Sequence, residues 1–357
     1  DQTPLNFFHF PWKNGARSPK LLLLTVDEIE SWRGLKDEKC YKPIDEKLGK
    51  RKRQTKYMDK CPEIERILKK PGMRSTKNVL IFNGNITTPV RHEKSTFIVN
   101  NTCAFDSVVF AIGISYTDHF NYKNYIDESN NRFLNFIKDL SCYGSTAKIY
   151  RQRAILLQEI FPIDTSIQKL KLINAECNVT KIINELLKDE PSNEEALICT
   201  SENCPRNSIT RASPIIMFTM DEYRKLNKEG IKSLQDILKS YINSKLTICR
   251  MDSCGGETTL IRTLKNHLFI DVESYSPGEV FQCYLQELPE MLNLENKEFK
   301  LTAAIAHVPG HYITYVLRLS GSWEQHNDLE KKVKNVSAKN TLITHHIIMY
   351  VKLSNID

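Results

Sequence analysis

The chain has 357 residues, 41% of them hydrophobic and 26% charged, with a net charge of +7. That composition supplies a sizeable core and excludes overall disorder. No apolar run approaches the roughly 20 residues that cross a bilayer, so a membrane partner is not expected.

The charge is uneven. Between residues 47 and 79 stand twelve Lys or Arg against Asp59, Glu63 and Glu65, so this segment carries +9 and the remainder −2. "KLGKRKRQTKY" within it reads either as a nucleic-acid or nuclear-localisation patch or as a solvated surface segment. Residues 1–78 read as a basic N-terminal extension and 79–357 as the folded domain.

Along that domain, "STFIV" predicts a short strand, "NNTC" a polar turn, and "AFDSVVFAIGIS" a helix with Phe105, Val108, Val109 and Ile112 on one stripe. Residues 123 to 190 read as mainly helical, through "NRFLNFIKDL", "RQRAILLQEIF", "IQKLKLINAEC" and "VTKIINELLK". Short strands and paired cysteines follow, with "SLQDILKSYI" as a helix among them. The end is mostly strand: "HLFIDV", "FKLTAAIAHV", "HYITYVLRL" and "THHIIMYVKL". Helices first and strands last predict an α+β fold. In "HYITYVLRL", Ile313, Tyr315, Leu317 and Leu319 alternate as in a half-buried strand.

Cys103 falls where the polar turn meets the helix. A helix N-terminus lowers a thiol pKa and favours the nucleophilic thiolate, although a lone cysteine is more often core packing. His311 opens a strand after Gly310, and sixteen residues later, beyond a Ser-Gly-Ser turn, come Asn327 and Asp328. The strand presents an imidazole, and the returning hairpin carries a group to orient it. The bland alternative is a structural histidine beside polar turn residues.

"NNTCAFDS" resembles the cysteine box of the ubiquitin-specific proteases, Gly-Asn-Thr-Cys-Tyr-x-Asn-Ser, and "FKLTAAIAHVPGHYITYV" with "SWEQHND" resembles their histidine box. "THHIIMYVKL" is similar to their closing strand, so the resemblance runs over about 95–357. It implies a papain-like cysteine protease fold with a helical thumb, an antiparallel sheet palm and zinc-binding fingers at about 193–258. It also implies hydrolysis after the C-terminal diglycine of a ubiquitin-like modifier, ubiquitin or SUMO. Asp106 and Gly-Ser-Trp downstream of the histidine lean toward the SUMO-isopeptidase branch. Cys103 would be nucleophile, His311 base, Asn327 its orienting group with Asp328 in reserve, and Asn101 or its neighbour Asn100 an oxyanion donor beside the Cys103 N–H. Three positions depart from the pattern: Ile98 stands where an oxyanion Asn is usual, Asn327 where Asp is, and Ala104 where Tyr is.

"LICTSENCP" and "LTICRMDSCG" repeat one pattern, Ile-Cys, four residues, Cys. Cys199, Cys204, Cys249 and Cys254 would hold one structural zinc from two knuckles, with buried thiols or two local disulfides as the alternatives. The family's spacing is usually Cys-x₂-Cys, another departure. Cys40, Cys61, Cys142, Cys177 and Cys283 form no metal-ligand spacing. Ten cysteines without a secretory signal fit a reducing compartment, nuclear or cytoplasmic. A monomer is expected. Rival readings are a catalytically weak binding module of the same fold and a zinc-containing nucleic-acid-associated protein using residues 47–79.

Overall fold

Two alternating strands that pair along their whole length organise the domain: Lys297–Val308 and Leu342–Asn355 run antiparallel and form the axis of a nine-stranded sheet. The computed structural model describes residues 80–165, 169–205, 208–243, 245–249, 251, 254–273 and 281–355. The basic segment 47–79, with Cys40 and Cys61, lies outside them.

In chain order the elements are β1 (Val90–His92), β2 (Ser95–Asn100), α1 (Cys103–Asp118), α2 (Phe120–Glu128), α3 (Arg132–Tyr143), α4 (Ala147–Ile160), β3 (Ile163–Asp164), β4 (Leu170–Asn174) and α5 (Val179–Leu186). There follow β5 (Asn193–Cys199), β6 (Ser208–Ser213), β7 (Ile216–Met217), α6 (Met220–Glu229), α7 (Leu234–Ile242), β8 (Lys245–Ile248), β9 (Glu257–Leu264) and β10 (His267–Asp271). The last are β11 (Gln282–Tyr284), β12 (Met291–Leu294), β13 (Lys297–Val308), β14 (His311–Leu317), β15 (Trp323–His326), β16 (Lys334–Val336) and β17 (Leu342–Asn355).

The central sheet runs β16-β15-β14-β13-β17-β10-β7, with β11 on β17 and β12 on β13. One face packs on α1–α5 through Phe269, Ala303, Ile305, Val316, Ile347 and Met349. The other packs on α6 and α7 through Leu268, Ile270, Leu301, Ala304 and Ile348. Register shifts between Leu301 and Ala303, so Phe299 and Leu301 share a core with Ala304 and Ala306 despite the odd step in sequence. Two smaller sheets flank this layer: β1-β2-β4-β3, and β6-β5-β9-β8 carrying the paired cysteines.

Helices and strands segregate broadly as the α+β reading expects, with two differences. "IQKLKLINAEC" is not a helix: Leu170–Asn174 is β4, which lies parallel to β2 and pairs Val99 with Ile173. The short segment alternates around Leu172, and pairing with β2 overrides its weak helical stripe. Nor is β14 half-buried. Tyr312 and Val316 enter the helical core while Tyr315 and Leu317 enter the opposite one, and Thr314 donates to the Ser107 carbonyl at 3.0 Å. Both faces are covered because helices pack on each side of the sheet. Among the described residues no helix is long and apolar enough to cross a membrane.

Candidate active site

The polar turn before α1 is built around an atypical backbone. Asn101 adopts a left-handed φ of 57°, a conformation Asn tolerates better than most residues. It turns the chain from β2 into α1, so Cys103 becomes the first helical residue with Thr102 as N-cap. The Thr102 hydroxyl does not cap the helix; it accepts from the Gly84 N–H at 2.8 Å and donates to Asp106.

His311 is the first residue of β14, and β15 returns antiparallel beside it. The Leu329 N–H donates to Asn327 Oδ1 at 3.1 Å, which identifies that atom as the amide oxygen. His311 Nε2 lies 2.9 Å from the same oxygen and therefore donates to it. The imidazole then carries its proton on Nε2 and offers Nδ1 as the basic lone pair. Asp328 Oδ1 is farther from Nε2, at 3.4 Å.

The thiol lies against the start of this strand. The Tyr312 N–H, one residue beyond His311, faces Cys103 sulfur, and Asp328 is close enough to act on it electrostatically. His311, Asn327 and Asp328 thus meet on the β14–β15 hairpin, and Cys103 at the start of α1 lies by the Tyr312 backbone of the same hairpin. The expected low thiol pKa is not found. Burial pushes Cys103 up to about 11, the neighbouring Asp328 and Asp106 carboxyls add to the rise, and the Tyr312 and Ala104 N–H groups offset only part of it. Such a thiol is thiolate in only about one molecule in 10⁴ at pH 7 unless a base takes its proton. His311→Ala should therefore slow iodoacetamide modification of Cys103 at pH 7 by at least about tenfold. The rate should recover steeply as the pH is raised, because thiolate then forms without the base. A flat pH profile, or no change at pH 7, contradicts this pairing.

Asn101 is engaged on both ends. Its N–H donates to Asn85 Oδ1 at 2.9 Å, its Oδ1 accepts from Asn85 Nδ2 at 2.9 Å, and its Nδ2 donates to Asn174 Oδ1 at 3.0 Å. One amide hydrogen of Nδ2 is left for another acceptor. Ile98, in the position where a donor is usual, is buried.

Sequence reasoning missed the loop that clamps this turn. Asn83 Nδ2 donates to Asp328 Oδ2 at 2.7 Å and its N–H to the Asp328 carbonyl at 2.9 Å. Gly84 sits so close to β2 that an added Cβ would fall 2.2 Å from the Val99 carbonyl oxygen. The Asn-Gly pair was a readable turn signal, but its partners lie far away in sequence. Gly84→Ala should cost about 1–3 kcal/mol, the usual range for overpacking, and shift Asn83 and Asn85 away from Asp328 and Asn101. Thermal melting reads the stability loss, and an unchanged melting temperature refutes the close approach.

Arg153 was missed too. It is buried, donates from Nη1 to Asp106 Oδ1 at 3.0 Å and to the Phe82 carbonyl at 2.7 Å, and ties the 82–87 loop to α1. A charged residue inside the apolar stripe Ile149, Ala154, Leu156, Leu157 was the available signal. Asp106 is therefore a fully buried counter-ion to Arg153. That pairing explains an Asp at this position without reference to a substrate branch.

Cys199, Cys204, Cys249 and Cys254 come together, with all four sulfurs within 4.8 Å of one another. Cys199 lies 3.5 Å from Cys254 and Cys204 3.9 Å from Cys249. Neither separation is a disulfide, and sulfurs about 2.3 Å from a tetrahedral ion stand about 3.8 Å apart. The donor set and spacing therefore fit zinc. Gly256 is required at the second knuckle: an added Cβ would fall 2.9 Å from Cys199 sulfur.

His345 and His346 point to opposite faces as alternation requires, His345 to Cys283 at 3.0 Å and His346 to the Tyr312 hydroxyl at 3.1 Å. Cys142 is exposed and Cys177 buried, both as free thiols.

No protein-family model matches the chain. It is 29% identical over 326 residues to the 120.7 kDa protein in the NOF-FB transposable element of Drosophila melanogaster. That match covers 85% of this chain and 29% of the relative, so the chain spans less than a third of that protein's length. Among solved structures, the SAGA Ubp8/Sgf11/Sus1/Sgf73 DUB module bound to ubiquitin aldehyde superposes over 81% of this chain and 72% of its own, with a TM-score of 0.41 and 13% identity. The apo Pan2 pseudoubiquitin hydrolase-RNA exonuclease module of Saccharomyces cerevisiae covers 79% and 57%, with a TM-score of 0.42 and 12% identity. Superpositions this loose assign no activity.

Proposed function

We propose that the chain is a cysteine-type hydrolase that cleaves the amide bond after the C-terminal diglycine of a ubiquitin-like modifier, on a papain-like scaffold. In this reading α1–α5 form the thumb, the central sheet the palm, and the β6-β5-β9-β8 sheet zinc-stabilised fingers. The observation that carries it is the fixed tautomer of His311: Nε2–H bound to Asn327 leaves Nδ1 as the candidate base for Cys103, which lies by the backbone of the next residue, Tyr312.

His311 Nδ1 takes the thiol proton as sulfur attacks the scissile carbonyl, so charge forms as an imidazolium–thiolate pair. The oxyanion develops at the N-terminus of α1, where first-turn N–H groups have no intrahelical acceptor, and Asn101 supplies a further donor. His311 then protonates the departing amine, and water hydrolyses the thioester. Four cysteine ligands leave zinc no open position, so its part is structural.

Ubiquitin and SUMO C-terminal electrophile probes, applied in parallel, test the reading. Adduct formation at Cys103 with either supports it and identifies the modifier. A second reading, a binding module without turnover, is favoured by Ile98 in the place of an oxyanion donor. It takes over if neither probe labels Cys103 while a modifier still binds. A role for residues 47–79 on nucleic acid, consistent with nuclear residence, predicts steeply salt-dependent binding lost on deleting that segment.

A further inference from the structure

Behind the candidate triad, two carboxyl groups share one cation. Asp106 is 0% and Asp328 1% exposed, and their side chains meet within hydrogen-bonding reach. Asp106 takes the donors: Arg153 Nη1 reaches both of its oxygens, at 3.0 and 3.1 Å, and the Thr102 hydroxyl donates to Oδ2. Asp328 Oδ2 accepts from Asn83. Asp328 Oδ1 has no hydrogen-bond donor; the nearest, His311 Nε2, stands at 3.4 Å and already donates to Asn327.

Two adjacent buried carboxylates cannot both stay charged against a single guanidinium. The groups facing the pair from the surrounding elements are Arg153 and Tyr150 on α4, Cys103 on α1 and His311 on β14, and Arg153 is the fixed cation among them. A proton on Asp328 Oδ1, donated to Asp106, gives the orphaned oxygen a partner and balances the charge.

We propose that Asp328 is the neutral, proton-bearing partner of Asp106, a positioning residue that holds the hairpin of Asn327 against the helix of Cys103, and not an anionic member of the catalytic set. Burial and the neighbouring Asp106 raise the Asp328 carboxyl well above the usual range, in agreement with this arrangement. The assignment rests on the proposed hydrolase reading for its consequence in turnover, but the protonation state stands without it. It explains why an amide suffices at Asn327. Imidazolium formation relies on a neutral orienting group and on the thiolate itself, as in Cys-His-Asn enzymes.

Asp328→Asn is the deciding variant, because an amide copies the protonated acid: its oxygen accepts from Asn83 and its N–H₂ donates to Asp106. The expected result is probe labelling and turnover within about threefold of wild type. An anionic third member replaced by its amide loses far more, on the order of 10⁴ in the serine-protease case. A loss of 100-fold or more in Asp328→Asn, with folding intact by circular dichroism, overturns the proposal.

Two readouts do not depend on any modifier being cleaved. Infrared difference spectra at neutral pH should show a protonated-carboxyl C=O band in wild type that is absent in Asp328→Asn; no such band overturns the assignment. Asp106→Asn should release the Asp328 proton, because Arg153 then needs a new counter-ion. The ionised Asp328, which acts on both His311 and Cys103, should shift the pH profile of Cys103 iodoacetamide reactivity from wild type, and Asp106→Asn with Asp328→Asn should abolish that shift. Equal reactivity in the single and double variants counts against the shared proton. If these readouts hold and no modifier is cleaved, the hydrolase reading fails and the carboxyl pair stands.

Discussion

Cys103→Ala should abolish hydrolysis of a diglycine-linked substrate and leave modifier binding within a few-fold of wild type. This is the largest kinetic effect expected from any single change in the chain. In the proposed reaction the sulfur forms the bond to the scissile carbonyl, and neither nearby hydroxyl stands in for it: Thr102 is committed to Asp106 and Gly84, and Ser107 is buried. Removing a nucleophile of this kind costs on the order of 10⁶ in turnover, whereas binding a protein modifier spreads over a broad contact surface. Asn327→Ala should be far milder, because it only orients His311, whose Nε2 also has Asp328 Oδ1 at 3.4 Å. Asn101→Ala should lower kcat more than it raises KM if its free amide hydrogen meets the oxyanion, since that contact strengthens in the transition state. Single-turnover kinetics on the three variants give the order. Turnover surviving in Cys103→Ala removes the protease reading altogether.

Much of this site was legible before any coordinates because it is local. The step from polar turn to helix at Cys103, and the strand, turn and hairpin that bring Asn327 back to His311, are set by neighbours within about twenty residues. The cysteine knuckles were legible for the same reason, each being a short turn read twice. What the sequence hid is nonlocal. Asn83 reaches Asp328 across 245 positions, and Arg153 reaches Asp106 across 47. β4 was hidden because its partner β2 lies some seventy residues earlier, and pairing alone decides the conformation of a five-residue segment. The thiol pKa went the wrong way on the same ground. A helix N-terminus is visible in a sequence, while the burial that outweighs it, and the Asp328 carboxyl that adds to it, are supplied by segments far away along the chain. Asp106 shows the cost of reading one position alone. Taken as a specificity mark, it is occupied as the counter-ion of a buried arginine.

Chelation or Cys249→Ser should release about one equivalent of zinc and unfold the β6-β5-β9-β8 sheet while the helical half keeps its protection from hydrogen exchange. The sheet's own hydrophobic content explains the severity. Its strand pairing places Ile198, Leu246, Ile248 and Ile261 on one face, and all four are exposed. Tyr241 of α7 covers the other face only near the base, through Arg262, which stacks on its ring at 3.9 Å, and Asn193. A four-stranded sheet with so little buried apolar surface cannot offset the conformational entropy of its turns. A Cys₄ site offsets it: apparent zinc affinities in small metal-folded units correspond to roughly 10–16 kcal/mol at pH 7. The central sheet and α1–α5 share separate cores that do not involve the knuckles, so loss should stop near residues 193 and 264, where β5 and β9 enter the body. Hydrogen exchange by mass spectrometry, with metal content measured on the same samples, resolves the two regions. Protein that carries no metal when purified without chelator, yet protects this sheet as well as the core, would show that four close thiols fold it unaided.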